Sequence, residues 1–188
     1  LLAESGTPTP DGVLLTAPLA DDPGGAPLPT PGPWVVKAQV SVGGRGKAGG
    51  IALADTPDAV DAAVKSILAT KIKGRTVHSV RVETQVKGAC ESYLGFILDP
   101  GAGGVRVLFA AQGGVDIEDG GDALRSTVAP PMEAAMIAAA TKLATDQSGS
   151  MRAAIGDAAA RLAHAFLHHE AMMLEINPLF VHDDGGWV

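Results

Sequence analysis

Residues 34–51 read WVVKAQVSVGGRGKAGGI. The first seven alternate, which puts Val35, Lys37 and Gln39 on one face of a strand and Val36, Ala38 and Val40 on the other. An ammonium in mid-strand is costly to cover unless an anion meets it, so Lys37 is a candidate for holding one. The strand then enters Gly43-Gly44-Arg45-Gly46-Lys47-Ala48-Gly49-Gly50, a turn carrying Arg45 and Lys47. Glycines let a ligand approach the backbone and offer amide N–H groups, which suits a polyphosphate. Strand lysine followed by basic glycine turn reads as a phosphate clamp; the turn taken alone fits a basic surface hairpin equally well.

Two familiar phosphate motifs fail here. Gly44-Arg45-Gly46-Lys47-Ala48-Gly49 matches G-x-G-x-x-G, but that fingerprint must open a helix. The residues that follow, 50–55, are extended in pattern, and the next helix start is at Thr56-Pro57. A P-loop needs Ser or Thr after its Gly-Lys, and Ala48 stands there.

Composition narrows the class. A hydrophobic content of 46% with 19% charged residues is that of a globular chain, not a disordered one. With 188 residues there is material for one large domain or two small lobes. The net charge of −7 argues against a sequence-independent nucleic-acid binder and makes the cations at 45 and 47 a local feature. The single cysteine, Cys90, excludes an internal disulfide and a thiolate zinc site. No signal peptide or membrane-spanning run is evident, so a cytoplasmic protein is expected.

Along the chain, residues 1–6 read as the tail of a helix, 12–16 as a short strand and 20–33 as loop. Thr56 can cap a helix with Pro57 at its first position; Val60, Val64, Ile67, Leu68 and Ile72 form its apolar stripe and Gly74 ends it. Strands are expected over 77–83, 91–98 and 105–110, with a hairpin connection at 99–104. Alanine-rich helices follow over 132–145 and 151–169, then strands over 171–176 and 179–182. That mixture predicts an α+β fold.

Further along stand VETQVKGACESYLG, AAQGGVDIE and LEINPL, in that order after VVKAQV and GGRGKAGG. Together these stretches resemble the β-subunits of succinyl-CoA synthetase, acid–CoA ligases of the ATP-grasp superfamily. The resemblance covers nearly the whole chain. It implies an ATP-grasp fold of two α+β lobes with nucleotide bound between them: residues 8–88 as one lobe, and 89–188 with 1–7 as the second. The second lobe would be truncated, and the carboxy-terminal CoA-ligase domain would lie past Val188. The family has a helix where 20–33 reads as loop.

The resemblance also assigns residues. Lys37, Gly44, Arg45 and Gly46 would lie over the phosphates of ATP, while Glu83, Val86 and Glu91 would contact the nucleotide around a hinge over 84–90. On the residues alone, Glu83 and Glu91 equally fit ion pairs with lysines such as Lys87. In LEINPL, Glu175 and Asn177 are two apart and share a strand face, offering oxygen ligands of the kind magnesium accepts; a strand edge broken by Pro178 is the plainer reading. By resemblance Asn177 is a Mg2+ ligand, its companion carboxylate falling beyond Val188. Glu175 would lie toward a phosphohistidine supplied by an α-subunit, which also carries the CoA site. None of the five histidines here matches that position. A regulatory nucleotide-binding module and an ATP-grasp ligase with another acceptor remain alternatives.

Other features read as structural. The turn at 112–119 lacks calcium-loop spacing. His168-His169-Glu170 has no H-E-x-x-H spacing and fits a solvated helix end. Met172, Met173 and Cys90 read as packing residues.

Overall fold

A computed structural model describes residues 4–21, 26–113 and 124–188. The chain divides into two compact units, one of Pro10–Lys87 and one of Leu1–Thr9 with Gly88–Val188.

The Pro10–Lys87 unit is built on a four-stranded antiparallel sheet. Its order is β1 (Gly12–Leu15), β6 (Val80–Thr84), β2 (Trp34–Ala38) and β3 (Ile51–Ala54). Helix α1 (Pro57–Leu68) covers one face. Thr56 caps it, its hydroxyl accepting from Ala59 N at 3.2 Å, with Pro57 at the first position. Val60, Val64 and Ile67 meet Val36, Ala38, Val80 and Val82 in a closed core; each valine or isoleucine side chain contributes about 1.5–3 kcal/mol by leaving water. Alternation then puts Val35, Lys37, Arg81 and Glu83 on the face away from α1.

The helix stops at Leu68, not at Gly74. Ile72 belongs to a two-stranded ribbon, β4 (Lys71–Ile72) with β5 (Arg75–Thr76), turned by Lys73 and Gly74 at φ 47° and 80°. Two consecutive positive φ angles suit that hairpin turn and no helix. Ile72 is nonetheless buried in the same core as the helix stripe, which is why helical spacing runs through it.

The other unit carries a second antiparallel sheet in the order β10 (Met173–His182), β7 (Ala89–Asp99), β8 (Gly104–Ala110) and β9 (Arg125–Ala129). Helices α2 (Glu133–Leu143) and α3 (Gly149–His168) lie against one face. Leu94, Phe96, Val107, Phe109, Leu179 and Val181 pack there on Met136, Ile155, Leu162 and Phe166. The small residues Ala140, Ala158, Ala159 and Ala163 let the helices come close.

Several details depart from the expectations. Residues 4–6 form a turn, not a helix end, and residues 1–3 lie outside the described set. A short 3-10 turn, Leu19–Asp21, opens the 20–33 loop, of which 22–25 are also outside it. The last two strands are one, β10, continuous through a cis Asn177–Pro178 bond, with a register shift between Ile176 and Leu179. Met172 and Met173 are exposed, at 64% and 51%, and Cys90 is exposed as well. No helix among the described residues is long and apolar enough to cross a membrane.

Arg125 on β9 ties the sheet to the α2–α3 connection. Its Nη1 and Nη2 hold both oxygens of Asp146, the second at 2.7 Å, while Nη1 also donates to the Leu143 carbonyl. Hydrogen bonding by Arg125, then by the Gln147 side chain, holds the Asp146 carboxyl well below the usual range. Asp99 is lowered likewise, first by Arg106 and then by the Ala102 amide. A carboxyl depressed in the folded state stabilises fully above its unfolded value, about 3.9, and that contribution fades as pH falls toward the folded value. Asp146→Asn is expected to lower the urea midpoint at pH 7 and to flatten its decline below about pH 4. Parallel acid slopes in both proteins would contradict this.

Candidate functional site

Lys37 sits at the end of β2 where the strand enters the glycine turn, directly opposite Arg81 in register. Its ammonium donates to Glu83 Oε2 at 2.5 Å, and Arg81 Nε donates to Glu83 Oε1 at 2.8 Å. One carboxylate, only 7% exposed, is thus shared by two cations. Arg81 is steadied further by a bond to the Pro10 carbonyl at 3.0 Å. The anion that a mid-strand lysine requires is therefore supplied internally, and the lysine that Glu83 meets is Lys37, not Lys87. The sequence places Arg81 on the same strand face as Glu83 but assigns it no role at the site.

The glycine turn folds back on itself. Ala48 N donates to the Gly44 carbonyl, Gly49 N to that of Gly46 and Gly50 N to that of Arg45, at 3.2, 3.1 and 2.7 Å. Three of its amides are spent on the turn's own shape. Gly44 and Gly49 take φ of 73° and 74°, the left-handed region that glycine enters without strain. Gly50 is needed for another reason: a Cβ there would run into Ile72 Cδ1 and lie 3.0 Å from the Arg45 carbonyl. Arg45 Nη1 donates to the Ala38 carbonyl at 3.2 Å, so its guanidinium lies back beside the strand that carries Lys37.

Val86 lies in the 85–88 connection after β6, half-buried. Just before it, Thr84 Oγ1 is buried without a hydrogen-bond partner among the described residues. A buried hydroxyl left unsatisfied is unusual enough to mark a place where a polar ligand group fits.

In the other unit, Glu91, Glu175 and Asn177 lie on the neighbouring strands β7 and β10. Glu91 is exposed and stands opposite Phe180. Glu175 stands opposite Gly95, on the sheet face turned away from α2 and α3, and its Oε2 accepts from the Tyr93 hydroxyl at 2.7 Å. Asn177 falls within the register shift of β10 and is half-buried. The described residues contain no group of three or more His, Cys, Asp and Glu side chains placed to hold a metal ion. The turn at 112–119 lies mostly outside the described residues. His164 and His168 stack at the end of α3, with His164 Nδ1 3.0 Å from Glu133.

Comparison with known proteins adds the following. The family model for the ATP-grasp domain matches residues 2–181. Subunit beta of the ADP-forming succinate–CoA ligase of Chloroflexus aurantiacus is 38% identical over 192 residues, covering 98% of this chain and 50% of the relative. The corresponding subunit of Herpetosiphon aurantiacus is 40% identical over 163 residues, 82% of this chain and 43% of its own length. The chain spans about half the length of the curated relatives it matches. Among solved structures, the dinucleotide-forming acetyl-coenzyme A synthetase 1 of Ca. Korarchaeum cryptofilum aligns with a TM-score of 0.66 at 20% identity, over 96% of this chain and 83% of that one. ATP citrate lyase from Methanothrix soehngenii aligns at 0.64 and 19%, over 83% of this chain and 36% of that one. These two likenesses speak to the fold.

Proposed function

We propose that this chain, which belongs to the ATP-grasp domain family, is the nucleotide-binding part of an acid–CoA ligase β-subunit. The observation that carries the reading is the 38% identity to ADP-forming succinate–CoA ligase subunit beta along 98% of the chain. In the proposed reaction the γ-phosphoryl group of ATP passes to a histidine of an α-subunit and ADP leaves. A succinate-like carboxylate takes that phosphoryl group from the histidine as an acyl phosphate, and the CoA thiolate displaces phosphate to give the acyl-CoA.

Within this scheme Lys37 and Arg45 supply positive charge to the phosphates, beside the Gly44–Gly46 backbone. Phosphoryl transfer asks a protein mainly to position reactants and to neutralise charge. As Lys37 turns toward phosphate, Arg81 keeps the Glu83 carboxylate compensated, so the exchange strands no charge. Val86, Glu91 and the Thr84 hydroxyl would meet the nucleoside. Glu175 would accept from the imidazole of the α-subunit histidine, fixing the tautomer that receives the phosphoryl group. Mg2+ would be held by nucleotide phosphates and water with Asn177 as a protein oxygen, in keeping with that ion's preference for few protein ligands; its chemistry is to neutralise the phosphate oxygens.

Lys37→Met tests the reading. A charge-assisted contact contributes about 1.5–3 kcal/mol, so ATP affinity is expected to fall about ten- to a hundredfold. Calorimetry on the folded variant decides the matter: affinity equal to that of the parent removes Lys37 from the phosphate site.

A further inference from the structure

We propose that Tyr93 is a positioning residue that fixes the carboxylate of Glu175 for phosphoryl transfer; this rests on the function proposed above. The two residues are 82 positions apart in the chain and meet across β7 and β10, with the tyrosine hydroxyl 2.7 Å from Glu175 Oε2. Gly95, not Tyr93, is the direct cross-strand partner of Glu175, so the contact is a diagonal one. Such diagonals are within reach only of long or aromatic side chains.

Gly95 makes the reach possible. A Cβ at that position would lie 2.7 Å from the Tyr93 hydroxyl oxygen, closer than real Cβ atoms come, and a tight 3.1 Å from Cζ. The ring therefore lies across the bare backbone of Gly95 to arrive at Glu175. Its body is packed with Leu108 and Ala110, leaving Tyr93 only 4% exposed.

Glu175, in contrast, is exposed. An exposed glutamate samples many rotamers, and ordering it when a partner arrives costs conformational entropy. A hydroxyl on a rigid, buried ring removes that freedom beforehand. Because an ionised carboxylate accepts at both oxygens, a bond at Oε2 leaves Oε1 available to an imidazole N–H. Preorganisation of this kind acts on the chemical step, since nothing in it touches ATP.

The test uses the full-length protein assembled with its partner subunit, measuring phosphorylation of that subunit's histidine from labelled ATP. Tyr93→Phe keeps the ring and removes the bond. It is expected to lower kcat about tenfold with KM for ATP unchanged. Glu175→Gln is expected to lose at least as much, and the double variant to match Glu175→Gln alone, because the positioning role of Tyr93 runs through that carboxylate. Gly95→Ala, which displaces the ring without altering it, is expected to reproduce the Tyr93→Phe pattern and covers the case in which Tyr93→Phe folds poorly. Wild-type rates for Tyr93→Phe beside an inactive Glu175→Gln would overturn the positioning role while leaving the function intact. Additive losses in the double variant would overturn it too, by showing a general structural effect. Full activity in Glu175→Gln would overturn the role given to Glu175 and the inference with it.

Discussion

Glu83→Ala is expected to destabilise the protein by about 3–5 kcal/mol, the usual loss when one partner is taken from a largely buried ion pair. The reason lies in what remains. Lys37 and Arg81 are direct cross-strand neighbours, with side chains only 24% and 32% exposed, and Glu83 is the anion both of them hold. Without it two cations face each other across β2 and β6. Arg81→Met, which leaves the Lys37–Glu83 pair standing, should cost clearly less. Glu83→Gln should fall between, keeping a hydrogen-bond acceptor but not the charge. Urea denaturation of the three variants ranks them; equal midpoints for Glu83→Ala and Arg81→Met would refute the shared-anion account. The same ranking bears on ligand binding, for a nucleotide phosphate would be the second anion these cations can hold.

Phe96→Ala should be comparably damaging, at about 3–5 kcal/mol for a buried aromatic reduced to alanine. Phe96 is fully buried at the centre of β7 and meets Phe166 of α3 edge to face, with centroids 6.1 Å apart and planes at 86°. It fastens the sheet that bears Glu175 to the helix behind it. Leu98, two residues on, is 37% exposed, and Leu98→Ala should cost a fraction of that amount. Thermal melts of the two variants check the contrast, and similar losses would mean that Phe96 is not the anchor its burial indicates.

Much of this architecture is legible in the residues alone, for identifiable reasons. Thr56-Pro57 announces α1, and alternation announces β2 and β6, because caps and period-two patterning are local signals. Strand β9 goes unseen: RSTVA is short and polar, and its place follows from pairing with β8. Ile72 misleads, since burial in one core says nothing of the element that delivers it. The site divides in the same way. That Lys37 needs an anion follows from its strand position, and that Arg81 and Glu83 share a face follows from their spacing. Which carboxylate answers Lys37 is a matter of pairing between β2 and β6, 46 residues apart in the chain. The bond from Tyr93 to Glu175 depends on a further pairing and on a missing side chain at Gly95. Neither leaves a trace in local pattern.

The bond from Arg161 Nη1 to the Gly6 carbonyl, 2.6 Å long and spanning 155 residues, has a consequence for synthesis on the ribosome. Gly6 emerges before Pro10–Lys87 but belongs to the unit that is completed after it, while Pro10–Lys87 holds all four strands of its own sheet. At ordinary elongation rates of about 5–20 residues per second, Gly6 waits on the order of ten to thirty seconds for Arg161. During that interval the intervening unit can close, so that the nascent chain carries one folded body while Gly6 is still without its final partner.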